Sequence, residues 1–297
     1  MTGGDLDVND ARLAHLRWEL ALEDLVNGKE PLHPLQGHQD CALGTWIYGI
    51  GVSRYGKHGS LWSLKTAHKA FHQVAEDTLA AIGAGNAARA SNSMDEIRRL
   101  SGEILYQLTA LELDVIEAAV EDARKQDVPS RLLRMFAPRP PSLDILAIRS
   151  CGVTGDGRRT LNVTGARLAH LKWIRDLQSA FRGLHGRNAA AQPSDECSLG
   201  VWIHGTAMKS LGATDALKSL DVAHRQFHRE VGVVLASLNQ RKFRQADEAY
   251  ETALALSGEI VTRLTRLQLP DALDDSLVRD RGLRPRLGQL ARAAFHP

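Results

Sequence analysis

The chain has 297 residues, 43% hydrophobic and 24% charged, a balance that suits a folded globular protein with room for two domains. Its 37 Lys and Arg against 35 Asp and Glu leave a formal net charge of +2, and no basic stripe interleaved with aromatics points to nucleic acid. No apolar run is long enough for a membrane span, the polar and acidic start Met1–Asp7 does not read as a secretory signal, and the odd, sparse set Cys41, Cys151 and Cys197 argues against a disulfide framework, so the expectation is a cytoplasmic protein.

Taken in order, the first segment predicts a helix from about Asp10 to Val26, with Leu13, Leu16, Leu20 and Val26 near helical spacing, Asp10 as N-cap and Asn27-Gly28 as the stop. A loop with Pro31, Pro34 and Gly37 follows. A short helix is expected from about Asp40, carrying Cys41 and Trp46 and weakened at its end by Gly49, Gly51 and Gly56. A third helix is expected from about Leu61 to Ile82. A fourth starts near Ala87 and runs to about Lys125, either unbroken or split near Leu113. After a Pro- and Gly-containing linker, whose stretch from Ser142 to Ile148 has short-helix character, the plan returns: about Thr164–Leu184, Cys197–Leu211, Asp215–Leu238 and Phe243–Leu267. An Arg-containing tail follows Pro270. The reading is all-α, with a first four-helix module over 1–126, a linker over 127–160, a second four-helix module over 161–270 and a basic tail over 271–297.

The two halves carry one pattern. Ala11-Arg12-Leu13-Ala14-His15-Leu16-Arg17-Trp18 returns as Ala166-Arg167-Leu168-Ala169-His170-Leu171-Lys172-Trp173. Cys41-Ala42-Leu43-Gly44-Thr45-Trp46-Ile47 returns as Cys197-Ser198-Leu199-Gly200-Val201-Trp202-Ile203, and His68 and His72 return as His224 and His228. The offset is 155 residues at the first His and 156 at every later anchor, so one residue has entered copy two between the first His and the Cys. A repeat of this length is a whole domain.

Each copy thus holds three His and one Cys in the same order. Three imidazoles and a thiolate suffice for a tetrahedral Zn2+. His68/His72 and His224/His228 are four apart, which on a helix turns both rings to one face. Any one of these features alone is ordinary packing or surface decoration. Their joint survival in two copies that have otherwise drifted points to His15, Cys41, His68 and His72 as one ligand set and to His170, Cys197, His224 and His228 as the other, with two Zn2+ per chain. A nitrogen–sulfur set of this kind also suits Cu2+. His33, His38, His58, His185 and His204 have no counterpart and read as ordinary histidines. Trp18, Trp46, Trp173 and Trp202 read as core, and Gly44 and Gly200 as points of close helix approach. Glu103 and Glu259 are either carboxylates that orient a ligand imidazole or members of a solvated face.

The His-x-x-Trp helix, the Cys-x-Leu-Gly-x-Trp core and the His-x-x-x-His helix resemble the chemoreceptor zinc-binding domain of bacterial signalling proteins, over roughly 9–115 and 164–270. The resemblance implies a four-helix bundle with zinc held in its core by three His and one Cys. It also implies a regulatory role toward a chemoreceptor or diguanylate cyclase, with zinc and hypochlorous acid as stimuli. Neither a methyl-accepting coiled coil nor a cyclase signature is visible, so the expected role is a sensor or adaptor acting through a separate signalling partner, in chemotaxis or redox sensing. Such domains often pair, so the two copies are expected to form an intramolecular pseudo-dimer, a homodimer of chains, or independent modules. A structural or zinc-storage bundle is the alternative. An enzyme is not expected, because four protein ligands close the metal and no nearby catalytic motif is recognisable.

Overall fold

The computed structural model describes residues 8–31, 34–126, 163–182, 191–210 and 212–269. The expected linker helix, Cys151 and the basic tail lie outside the described residues. Among the described residues every regular element is helical and there is no strand. The chain divides into two compact units, Met1–Ile116 and Glu117–Pro297. The first copy of the repeat contains α1 (Val8–Val26), α2 (Ala42–Trp46), a π-turn (Ile47–Gly51), α3 (Val52–Tyr55), α4 (Gly59–Gly83) and α5 (Ala87–Gln126). The second contains α6 (Val163–Phe181), α7 (Ser198–Trp202), a π-turn (Ile203–Ala207), α8 (Met208–Ser210), α9 (Asp215–Asn239) and α10 (Phe243–Arg266).

Two expectations need correcting, and one open alternative is decided. Asp10 does not cap α1. The helix begins at Val8 and Asp10 lies in its first turn, where a carboxylate complements the positive end of the helix dipole. Cys41 is not within the short helix but caps it, and Gly49 and Gly51 do not end it. They sit in a wider π-turn that continues into α3, and copy two repeats the π-turn with Ala207 in place of Gly51. The break considered near Leu113 is absent: α5 is continuous, because Ile97, Leu100, Ile104, Leu108 and Leu111 keep one buried stripe and no Gly or Pro follows Gly102 within it.

The buried stripe of α4 explains how the histidines reach the interior. Leu61, Leu64, Phe71 and Ala75 fall at helical spacing and are buried, and His68 and His72 take core positions on the same stripe. In α9 the stripe is Leu217, Leu220, Phe227 and Val231, interrupted by His224 and His228. Phe71 and Phe227 are wholly buried, each contributing about 1.5–3 kcal/mol relative to exposure.

A buried arginine ties the first helix of each copy to the last. Arg12, fully buried in α1, donates to the Thr109 hydroxyl at 3.2 Å and to Glu112 at 2.6 Å, both on α5. Arg167, fully buried in α6, donates to Thr265 at 3.2 Å and to Gln268 at 2.7 Å. The repeated Ala-Arg-Leu-Ala-His run carried this feature, but a surface cation gives the same letters.

The turn between the last two helices also repeats. In copy one the Gly85 N–H bonds the Ile82 carbonyl and the Asn86 N–H bonds the Ala81 carbonyl, the paired closure of a left-handed helix cap with Gly85 at φ +70°. In copy two the same bonds form from Arg241 and Lys242, and Arg241 takes φ +58°. A side chain there costs about 1–2 kcal/mol relative to the right-handed region. Gly85→Ala is therefore expected to destabilise its module by about 1 kcal/mol, while Arg241→Gly stabilises its own by up to about 1 kcal/mol, both read from urea unfolding curves.

Candidate metal centres

Cys41 has extended backbone (φ −65°, ψ 157°) and stands at the N-cap of α2, where its Sγ accepts the Gly44 N–H at 3.2 Å. This places sulfur at the positive end of a helix turn, pointing to the His stripe of α4. Its Sγ lies 3.3 Å from His68 Nε2 and 3.6 Å from His72 Nε2. In copy two Cys197 caps α7 the same way, with Gly200 N–H at 3.4 Å, and its Sγ lies 3.1 Å from His224 Nε2. His224 Nε2 is in turn 3.1 Å from His228 Nε2. In each trio the ligand atoms lie within 4.8 Å of one another.

These separations suit a tetrahedral ion. Zn–S of about 2.3 Å and Zn–N of about 2.0–2.1 Å put sulfur and nitrogen ligands about 3.6 Å apart and two nitrogens about 3.4 Å apart. The donor chemistry fits as well. His228 Nδ1 is 2.7 Å from the Gln192 carbonyl, which can only accept, so the proton sits on Nδ1 and Nε2 turns a lone pair toward His224 and Cys197. Burial, then the neighbouring His72 and His38 imidazoles, pull His68 down to about 3, and burial, then His38, pulls His72 to about 4. Burial first, then His228, takes His224 to about 3, and burial lowers His228. These imidazoles are neutral at pH 7, the form that ligates. Burial raises the Cys41 thiol, offset in part by the Gly44 and Leu43 amides, so metal binding there displaces a proton.

The four-ligand sets of the sequence divide three and one. Cys41, His68 and His72 come together, as do Cys197, His224 and His228, while His15 and His170 stand beside these trios and outside the 4.8 Å clusters. Both are buried and packed edge-on to phenylalanine: His15 on Phe71 at 4.7 Å between ring centres, His170 on Phe227 at 4.8 Å. The His170 ring centre is 5.5 Å from that of His224, and His170 Nδ1 is buried with no hydrogen-bond partner among the described residues. The pKa of His15 is well below the ordinary value through burial, then His68 and His72; that of His170 is well below through burial, then His224 and His228.

The tryptophan of each His-x-x-Trp run packs on a different imidazole from the one in its own run. Trp18 is edge-on to His72 at 4.7 Å and its indole N–H is held by the Gln36 carbonyl at 3.0 Å, and Trp173 is edge-on to His228 at 4.7 Å. A cavity of about 290 Å3, lined by His15, Arg17, Trp18, Gln36, Cys41 and His72, lies against the first site.

Other expectations shift. Glu103 accepts from Gln107 at 2.7 Å and Glu259 pairs with Arg263 at 2.5 Å, so neither repeated glutamate is hydrogen-bonded to a site imidazole. The carboxylate that does reach one is Glu19: Ser101 Oγ donates to Glu19 at 2.5 Å and lies 3.0 Å from His15 Nε2. Sequence reasoning missed it because Glu19 has no counterpart in copy two, where Ile174 stands. His38 is near the first site, its ring centre 6.4 Å from that of His72, and His204 pairs with Asp221 at 3.1 Å, whereas His33 and His185 lie outside the described residues.

Gly44 and Gly200 admit a loop and not a helix. A Cβ on Gly44 would fall 2.0 Å from the His38 carbonyl oxygen, and one on Gly200 1.7 Å from that of Ser194. The backbone before each Cys therefore lies directly on the turn that the Cys caps, which fixes the sulfur.

Residues 15–79 and 170–235 each match the family model of the chemoreceptor zinc-binding domain. No curated protein and no solved structure matches the chain. Because the clash at either glycine is with backbone, Gly44→Ala and Gly200→Ala are each expected to cost at least about 1–3 kcal/mol and to remove zinc from their own module only, as read by thermal unfolding and zinc stoichiometry.

Proposed function

We propose that the chain, whose residues 15–79 and 170–235 match the chemoreceptor zinc-binding domain, is a two-site zinc sensor or adaptor that reports the state of its zinc–thiolate centres to a signalling partner. The family binds zinc, and each module presents one Cys/His/His cluster. The observation that carries the reading is the convergence of Cys41 Sγ on His68 and His72 at 3.3 and 3.6 Å, repeated by Cys197 and His224 at 3.1 Å. His15 and His170 are proposed as the fourth ligands, since their rings already stand beside the trios. When bound, the ion supplies charge that holds the cysteine as thiolate and joins the Cys-capped turn to the His helix.

The proposed signal is the release of that turn. Hypochlorous acid converts a thiolate to a sulfenic acid: sulfur gains oxygen and loses two electrons, and chlorine departs as chloride. Loss of the sulfur anchor frees the capped turn and its π-turn from α4 in module one, or from α9 in module two. The cavity beside Cys41 gives a small oxidant a route. A chemoreceptor or a diguanylate cyclase in the cytoplasm is the proposed recipient. No helix among the described residues is long and apolar enough to cross a membrane.

Metal analysis of the purified chain is expected to give two zinc equivalents, falling to one in Cys41→Ala and one in Cys197→Ala. A full complement in either variant sinks the ligand assignment. Peptide mass spectrometry after limiting hypochlorous acid is expected to show Cys41 and Cys197 oxidised before Cys151; the reverse order removes the redox arm. Zinc removal that leaves hydrogen exchange of the Cys-capped turns unchanged favours a storage role instead.

A further inference from the structure

The two centres differ in what stands behind the first histidine. In module one a buried chain runs from α1 to α5 and back: Glu19, wholly buried, accepts from Ser101 Oγ at 2.5 Å, and that oxygen lies 3.0 Å from His15 Nε2. The serine has one proton and the carboxylate takes it. The oxygen is then an acceptor toward His15, so the ring proton is on Nε2 and the Nδ1 lone pair is left for a metal. The ring is fixed in both tautomer and orientation, and the Glu19 carboxyl stands one hydroxyl behind it.

Module two has the serine but not the acid. Ser257 occupies the place of Ser101, and Ile174 the place of Glu19. The Ser257 hydroxyl is buried with no hydrogen-bond partner among the described residues, and so is His170 Nδ1. The support that module two does have is at another ring, where the Gln192 carbonyl holds His228. That contact orients a member of the trio and does nothing for His170. The sulfur also differs: Cys41 is buried and Cys197 is half-buried.

We infer that the two zinc sites are unequal, with Glu19 acting through Ser101 as a positioning residue for His15, so that module one retains its ion and module two is the exchanging site. The inference rests on the zinc reading above. It gives the tandem a division of labour: one centre stays loaded while the other samples zinc or chelating partners. Removing an outer hydrogen-bond partner of a ligating histidine typically costs 10–100-fold in metal affinity, which sets the expected gap between the sites.

The test uses the full chain loaded with two zinc equivalents and mixed with an excess of a chromophoric chelator. Release is expected in two phases of equal amplitude whose rates differ about 10–100-fold. Cys197→Ala removes the fast phase and Cys41→Ala the slow one. Glu19→Gln and Ser101→Ala accelerate the slow phase toward the fast one and leave the fast phase unchanged, whereas Ser101→Thr, which keeps the hydroxyl, leaves it slow. A purely structural role for Glu19 would shift unfolding of the zinc-free protein without this selective change of rate. Alkylation of the unmodified chain, resolved by peptide, provides a measure that needs no variant. The protection of Cys41 by zinc, loaded against zinc-free, is expected to outlast that of Cys197 under chelation, and the ratio cancels their different exposure. Two equivalents that leave in one phase, or a fast phase that belongs to Cys41, overturn the inference alone. A chain that takes up no zinc sinks the functional reading and this inference with it.

Discussion

A thiol at one helix start is pressed against two imidazoles a turn apart on another helix, and each module is organised around keeping that contact. The arrangement is unfavourable on its own. His68 and His72 replace apolar residues on the buried stripe of α4, and burial holds them neutral. Lone pairs and a sulfur then face one another across about 3–4 Å, with no shared proton for every pair. A cation at the centre resolves this, because each donor gains a partner at once. The interior of the bundle is thus a frame for a charged centre, and the apolar residues around it, Phe71 above all, exclude water from it.

The frame has to resist the freedom of its own short elements. A helix of one turn does not hold a cap by itself. Here Gly44 lets the His38 carbonyl lie on the first turn of α2, so the loop, the cap and the turn are one unit. The π-turn then widens the backbone and redirects it into α3. At the other end of the module Arg12 ties α1 to α5 through Thr109 and Glu112, an arrangement whose disruption costs about 3–5 kcal/mol when a buried charge loses its partner. Copy two keeps the arginine and the threonine but has Gln268 for the glutamate, so a neutral acceptor takes the place of the ion pair. The register between first and last helices therefore depends on the hydrogen-bond geometry more than on the charge.

What the sequence revealed and what it hid follow a physical line. The helices, the twofold plan and the clustering of six donor side chains were legible because they depend on spacing: i, i+4 for the histidine pair, a fixed 27 residues from Cys41 to His68 and from Cys197 to His224. Features that depend on which atoms meet across the bundle were not. Ser101 stands with Glu103 in a repeated Leu-Ser-Gly-Glu-Ile run, and nothing in the letters says that the serine hydroxyl bridges α1 and α5 while Glu103 pairs with Gln107. Trp18 reads as core in the sequence, but that it packs on His72 and not on the His15 of its own run is set by the facing helix. The π-turn was hidden for a related reason: glycines that lower helix propensity are compatible both with an end and with a widened turn, and only packing chooses.

Comparison of the copies separates what the centre requires from what adjusts it. Cysteine, the histidines, the approach glycine and the tryptophan are the same in both, and they are the residues that touch the donor atoms or the turn that bears the sulfur. The ring of residues around them has changed in charge. Tyr48 under Lys65 in the first copy becomes His204 against Asp221 in the second, and Asp221 also holds Arg225 one turn further along α9. Lys65 and Asp221 occupy the same position, three residues before the first histidine of the pair; Lys65 lies over Tyr48 and Trp62, whereas Asp221 acts on His224. An anion near an imidazole strengthens its hold on a cation, and Asp221 acts in that sense on His224, while a second carboxyl, Glu19, stands behind His15. The one behind His15 is buried and hydrogen-bonded through Ser101, whereas Asp221 is already shared between His204 and an arginine that is more than half exposed. Asp221 is engaged by His204 and Arg225, whereas Glu19 reaches His15 through the Ser101 hydroxyl, so the contact in module one is the one that orients a site imidazole.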